Sequence, residues 1–111
     1  MNIDFSAIEE RLIPQPRGGE GTMGSRQFAD GNNRLLKARL LPGSRIGFHR
    51  HETDSETLLV LSGTGKMVTE QGEEPVRPGT VQYCPRGAAH SLVNDGTEDL
   101  VFFAVIPQHA Q

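Results

Sequence analysis

Residues 43–63 read GSRIGFHRHETDSETLLVLSG. His49 and His51 flank a single residue, so on a β-strand both imidazoles leave the same face while Arg50 takes the opposite one. Glu56 comes five positions after His51, which an unbroken strand would put on the wrong face. Between them stand Thr53, Asp54 and Ser55, turn formers that let the chain reverse, so that the Glu56 carboxylate returns to the histidines. An apolar run over 57–62 then ends at Gly63. The stretch predicts strand, turn and strand, with two imidazoles and a carboxylate aimed at one point.

The same cadence extends in both directions. Strand-like runs are expected at 25–29, 34–41, 47–51, 57–62, 66–69, 80–84, 89–93 and 100–106, separated by turn clusters such as Pro42-Gly43, Gln71-Gly72, Pro78-Gly79 and Pro85-Arg86-Gly87. Many short strands with no helical pattern between them indicate an all-β antiparallel sandwich or barrel and exclude βαβ units. Ser6 followed three residues later by Glu9 fits a capping box, with Ile8, Leu12 and Ile13 on one side, so a short N-terminal helix is expected before Pro14 and Pro16. The chain of 111 residues is read as one structural domain, with an N-terminal arm over 1–33, carrying that helix and the first strand, and a barrel over 34–107.

The totals narrow the function. A formal net charge of -3 with scattered basic residues leaves no electrostatic footprint for nucleic acid. No apolar run reaches the length of a membrane span, and the first twelve residues lack the pattern of a secretory signal. The lone Cys84 cannot form an internal disulfide, which suits a reducing, cytoplasmic setting; it is read as a small buried hydrophobe.

His90 follows the tight turn Pro85-Arg86-Gly87, so a neighbouring hairpin can deliver a third imidazole. Three neutral nitrogens and one carboxylate suit one divalent transition metal, Mn, Fe, Co, Ni, Cu or Zn, and the lack of a thiolate argues against a closed structural zinc site. Burying His49, His51, Glu56 and His90 together without a metal would leave their polar atoms to satisfy one another. His109 is read as structural or exposed.

The spacing Gly43, His49, His51, Glu56, Gly63 resembles the first motif of the cupins, and Gly79, Pro85, Gly87, His90, Asn94 resembles the second. The resemblance implies a double-stranded β-helix, the jelly-roll barrel, with His49, His51, Glu56 and His90 as metal ligands. It also implies a small-molecule ligand and a homodimer, the N-terminal arm being the natural segment to cross onto a partner. The strand at 100–106, apolar on both faces, is compatible with such pairing.

Strand parity sends Leu58, Val60 and Leu92 inward, giving a largely apolar wall. Arg45 shares the ligand face if 47–51 is regular, where it would meet a carboxylate or phosphate; the alternative is a solvated arginine beside Pro42-Gly43. Either Val81 and Tyr83 or Gln82 and Cys84 face the cavity, and Tyr83 is carried as a pocket candidate. No catalytic residue can be named beyond the metal, since no second carboxylate stands where it would mark a general base. The expected function is a metal-dependent enzyme, an isomerase, lyase or dioxygenase acting on a sugar acid or other small carboxylate, with a non-catalytic binding or sensor protein as the competing reading.

Overall fold

The computed structural model describes residues 1–109. Among them ten strands form two antiparallel sheets that face one another as a jelly-roll barrel: β1 (Arg11–Pro14), β2 (Thr22–Ala29), β3 (Asn33–Leu40), β4 (His49–Arg50), β5 (Glu56–Ser62), β6 (Gly65–Thr69), β7 (Gly72–Val76), β8 (Val81–Cys84), β9 (Ala89–Val93) and β10 (Leu100–Pro107). One sheet has the order β1-β2-β3-β10-β5-β8, the other β4-β9-β6-β7.

Alternation puts one row of each strand between the sheets. Leu36, Ala38 and Leu40 of β3, Leu58 and Val60 of β5, and Leu100, Phe102, Ala104 and Ile106 of β10 meet Met67, Val76 and Leu92 from the opposite sheet in one apolar cluster. Each large side chain buried this completely contributes roughly 1.5–3 kcal/mol. The same inward row carries polar residues toward one end: Glu56 precedes Leu58 on β5, and Arg34 precedes Leu36 on β3.

β10 is apolar on both faces for a reason internal to the chain. Its outward Phe103 is met edge-on by Phe5, with ring centroids 5.5 Å apart. The arm is likewise tied to its own sheet: β1 pairs with β2, β2 pairs with β3, and the Arg39 guanidinium grips both carboxylate oxygens of Glu10, at 2.8 and 2.9 Å.

The N-terminal helix expected at Ser6 does not form. Asp4, not Ser6, is the cap, accepting from the Ser6 backbone N–H at 3.0 Å, and it starts only a 3-10 turn over Phe5–Ala7. Leu12 and Ile13, which lie at helical spacing from Ile8, instead extend as β1, where Pro14 is tolerated at an edge. β7 was not foreseen either; its sequence GEEPV is exposed except at Val76 and is held as a strand by pairing with β6.

Candidate metal centre

β4 and β9 run antiparallel with His49 directly opposite His90. His51 lies just beyond β4, its backbone N–H donating to the Ala88 carbonyl at 3.0 Å while its carbonyl accepts from Gly87 at 2.7 Å. Gly87 has φ 91°, a left-handed conformation that glycine adopts without penalty, and this closes the Pro85-to-Ala88 turn that delivers His90. Glu56 opens β5 from the opposite sheet. The three imidazole centroids lie 4.8 to 5.0 Å apart in edge-to-face contact, and one ligand atom from each of the four residues falls within 4.8 Å of all the others.

Each imidazole is oriented from behind. His49 Nδ1 donates to the Gly47 carbonyl at 2.7 Å, His51 Nδ1 to the Asp54 carboxylate at 2.6 Å, and His90 Nδ1 to Gln82 Oε1 at 3.0 Å. Since all three partners are acceptors, the Nδ1 atoms carry the protons and the Nε2 lone pairs face the centre. There they meet one another and a carboxylate: His51 Nε2 is 3.1 Å from His90 Nε2 and 3.2 Å from Glu56 Oε1, and His90 Nε2 is 2.9 Å from the same oxygen. Buried acceptors this close repel unless a cation lies among them. Two donors at right angles, each about 2.1 Å from one ion, would stand about 3.0 Å apart, which is the spacing found. The donor set thus fits a single divalent metal, which His49, His51, Glu56 and His90 would hold.

Without an ion, protons on the imidazoles take the place of a cation at the centre. Burial pushes the Glu56 carboxyl up, but the His51 and His90 imidazoles outweigh it and hold the group at about 2, so it is ionised at neutral pH. His51 is raised, chiefly by its contact with Glu56, with Asp54 adding to it. His49 is lowered, chiefly by burial, against its bond to Gly47 and with the charges of His90, Arg17 and His51 adding.

Beside the cluster lies a cavity of about 60 Å³ lined by Arg17, Met23, Gln27, Arg34, Leu36, Ile46, Phe102 and Ile106 together with His49, His51 and Glu56. Leu58, Val60 and Leu92 are buried inward, as parity required, and pack in the core rather than on this wall. Arg45 does not reach the cavity; its guanidinium is half exposed and pairs with Glu20 at 3.4 Å, because its backbone bridges Glu20 and Val93 before β4 begins. Tyr83 is also displaced from the pocket. Cys84 stands opposite Glu56 in the β5–β8 register, so Gln82 and Cys84 face inward and Tyr83 points out, 61% exposed. Cys84 is buried, and burial, followed by the charge of Glu56, pushes its thiol up to about 11.

Arg17, Arg34 and Gln27, and the orienting role of Asp54, are not assigned from the sequence, while Gln82 is one of two alternatives there for the face toward the cavity. For Arg34 a signal existed, since it shares the inward parity of Leu36, Ala38 and Leu40. For Asp54 the signal was its place three residues after His51. Arg17 had none.

A jelly roll with three imidazoles and a carboxylate at one end of its core, a group that could hold a metal ion, defines the class of barrel, and the comparisons with known proteins agree on the fold. The chain belongs to the cupin family: the family's profile, described as the cupin domain, matches residues 36–106. An oxalate-binding protein of Thermotoga maritima is 33% identical over 112 residues, covering 96% of this chain and 93% of its own. A glucose-6-phosphate isomerase of Thermococcus gammatolerans is 31% identical over 97% of this chain, which spans 64% of the isomerase. Among solved structures, one described as a predicted oxalate decarboxylase from Thermotoga maritima superposes with TM-score 0.90 at 30% identity, over 97% of this chain and 99% of that one.

Proposed function

We propose that this cupin holds one divalent transition metal on His49, His51, Glu56 and His90 and uses it to capture a small carboxylate, with oxalate the first candidate. The observation that carries the reading is the convergence of three proton-free Nε2 atoms and one buried carboxylate beside a cavity. The metal, when bound, supplies a Lewis-acid centre for one or two ligand oxygens. The chain's own residues do the rest. Gly47, Asp54 and Gln82 fix the imidazoles, and Leu36, Ile46, Phe102 and Ile106 supply the apolar part of the cavity wall.

Size supports a ligand of a few heavy atoms. The cavity of about 60 Å³ is far below the roughly 300–1,000 Å³ usual for larger metabolites, a sugar phosphate among them. The relative named for oxalate binding, matched over nearly its whole length, points the same way. Among the described residues lining the cavity Glu56 is the only carboxylate, which supports capture over a reaction needing a second carboxylate for proton transfer.

The test is calorimetric titration of oxalate and of glucose 6-phosphate into protein loaded with manganese, cobalt or zinc and into chelator-stripped protein, with substrate consumption followed in parallel. Oxalate binding by the loaded form alone, without turnover, is expected. Equal binding by the stripped form, or preference for glucose 6-phosphate, would overturn the reading.

A further inference from the structure

The cavity wall carries two arginines, Arg17 and Arg34, from distant parts of the chain. Neither guanidinium makes a hydrogen bond or ion pair with the protein among the described residues. Other arginines are paired, Arg39 with Glu10 and Asp99, Arg50 with Glu70 and Arg26 with the Ile8 carbonyl, while Arg11 and Arg77, whose guanidiniums likewise make no such contact among the described residues, do not line this cavity. Arg17 is exposed and Arg34 partly buried, so two guanidiniums at the rim of one small cavity are free to take an anion that enters it.

The backbone holds both in place. Arg34 sits on the inward row of β3, opposite Ile106 of β10, which also lines the cavity. Arg17 lies in the 3-10 turn Pro16–Gly18 with φ 53° and ψ 33°, and Gln15 before it has φ 47°, left-handed conformations that side-chain-bearing residues seldom adopt. Such conformations persist where surrounding contacts over-determine them. Here the Pro16 carbonyl accepts from the Gly47 and Gly19 backbone N–H groups, each at 2.9 Å, and Glu20 and Arg45 exchange backbone hydrogen bonds at 3.1 and 2.9 Å. A Cβ at Gly47 would lie 2.1 Å from the Arg17 carbonyl oxygen, so only glycine lets the turn lie this close. Gly47 also accepts from His49 Nδ1, and one residue therefore registers both the turn and a cluster imidazole. Arg17 is near enough that its charge adds to burial in keeping His49 neutral.

We infer that Arg17 and Arg34 receive the ligand oxygens that the metal does not hold, so that the site selects small dianions, dicarboxylates above all, over monoanions of the same size. The inference rests on the metal-dependent capture proposed above and names its specificity determinants. The charges agree: a divalent ion less the charge of Glu56 leaves the centre singly positive and the two guanidiniums add two more, so a dianion offsets two of these three charges where a monoanion offsets one. A carboxylate end is also the planar acceptor that a guanidinium fork fits.

The experiment compares oxalate with oxamate, nearly the same shape but singly charged, by calorimetry on metal-loaded wild type, Arg17→Gln, Arg34→Gln and the double variant, with metal content measured in each. Wild type should prefer oxalate. Each single variant should lose about 10- to 100-fold in oxalate affinity, the cost of a charge-assisted contact. Oxamate affinity should fall by only about threefold or less, and metal content should stay that of wild type. A double variant that binds oxalate as wild type does, or that loses oxalate and oxamate in equal proportion, overturns the inference and leaves the capture reading standing. A loaded wild type that binds neither anion overturns both.

Discussion

Asp54→Ala removes the carboxylate that accepts from His51 Nδ1 at 2.6 Å while leaving all four cluster residues in place. The Asp54 side chain is 15% exposed and its backbone bridges Gln108, so the turn should survive the substitution. Without its acceptor the His51 ring is free to rotate or to move its proton to Nε2, where it would block the lone pair that faces the centre. Loss of such an outer partner costs about 10- to 100-fold in metal affinity. That is roughly 1.4–2.7 kcal/mol. At saturating metal the whole of this appears as lost stabilisation by linkage. For a domain of this size, at about 4 °C per kcal/mol, the rise in Tm on metal addition should shrink by roughly 5–10 °C. Scanning calorimetry of loaded and stripped forms, wild type beside variant, reads this difference free of any general destabilisation. A rise within about 2 °C of wild type, with metal affinity unchanged, would refute the claim that Asp54 orients a ligand.

Acid should release the metal at the imidazoles and not at the carboxylate. Glu56 is held at about 2, whereas His51 is raised above the ordinary histidine value and takes a proton early as pH falls. In the stripped protein the signs differ. The raised His51 adds stability below its unfolded value that is lost as pH rises through the folded one, and the depressed Glu56 adds stability that persists until pH falls toward 2. The loaded and stripped Tm curves should therefore converge between about pH 7.5 and 5.5, and parallel curves there would contradict the assignment. Asn94 is buried and donates to the Leu40 and Glu98 carbonyls at 2.7 and 2.8 Å while accepting from Gly96 at 3.0 Å. Asn94→Ala should cost about 3 kcal/mol in chemical denaturation, and a loss below about 1 kcal/mol would show these bonds to be dispensable. Cys84, buried and with its thiol pushed up to about 11, should react with iodoacetamide at pH near 8 only on unfolding; rapid labelling of the native protein would disprove its burial.

The barrel was legible because its inward rows alternate and its turns are marked. The run at 89–93 coincides with β9, and the one at 57–62 falls one residue short of β5. β7 was not, because an edge strand of polar residues shows no alternation, and β1 was hidden because Ile8, Leu12 and Ile13 satisfy a helical period as well as they fit an extended chain. The four cluster residues were readable from parity and two turns. What surrounds them depends on register between strands distant in sequence. The pairing of Glu56 with Cys84 decides that Gln82 and not Tyr83 meets the site, and Arg17 arrives only through the contact of Pro16 with Gly47.

The most direct test of the central claim is titration of the stripped protein with cobalt(II), read by optical absorption and checked by elemental analysis. The account predicts saturation at one ion per chain, and loss of that uptake in a folded His49→Ala, His90→Ala double variant. No saturable uptake by folded wild type, or equal uptake by the double variant, would contradict it.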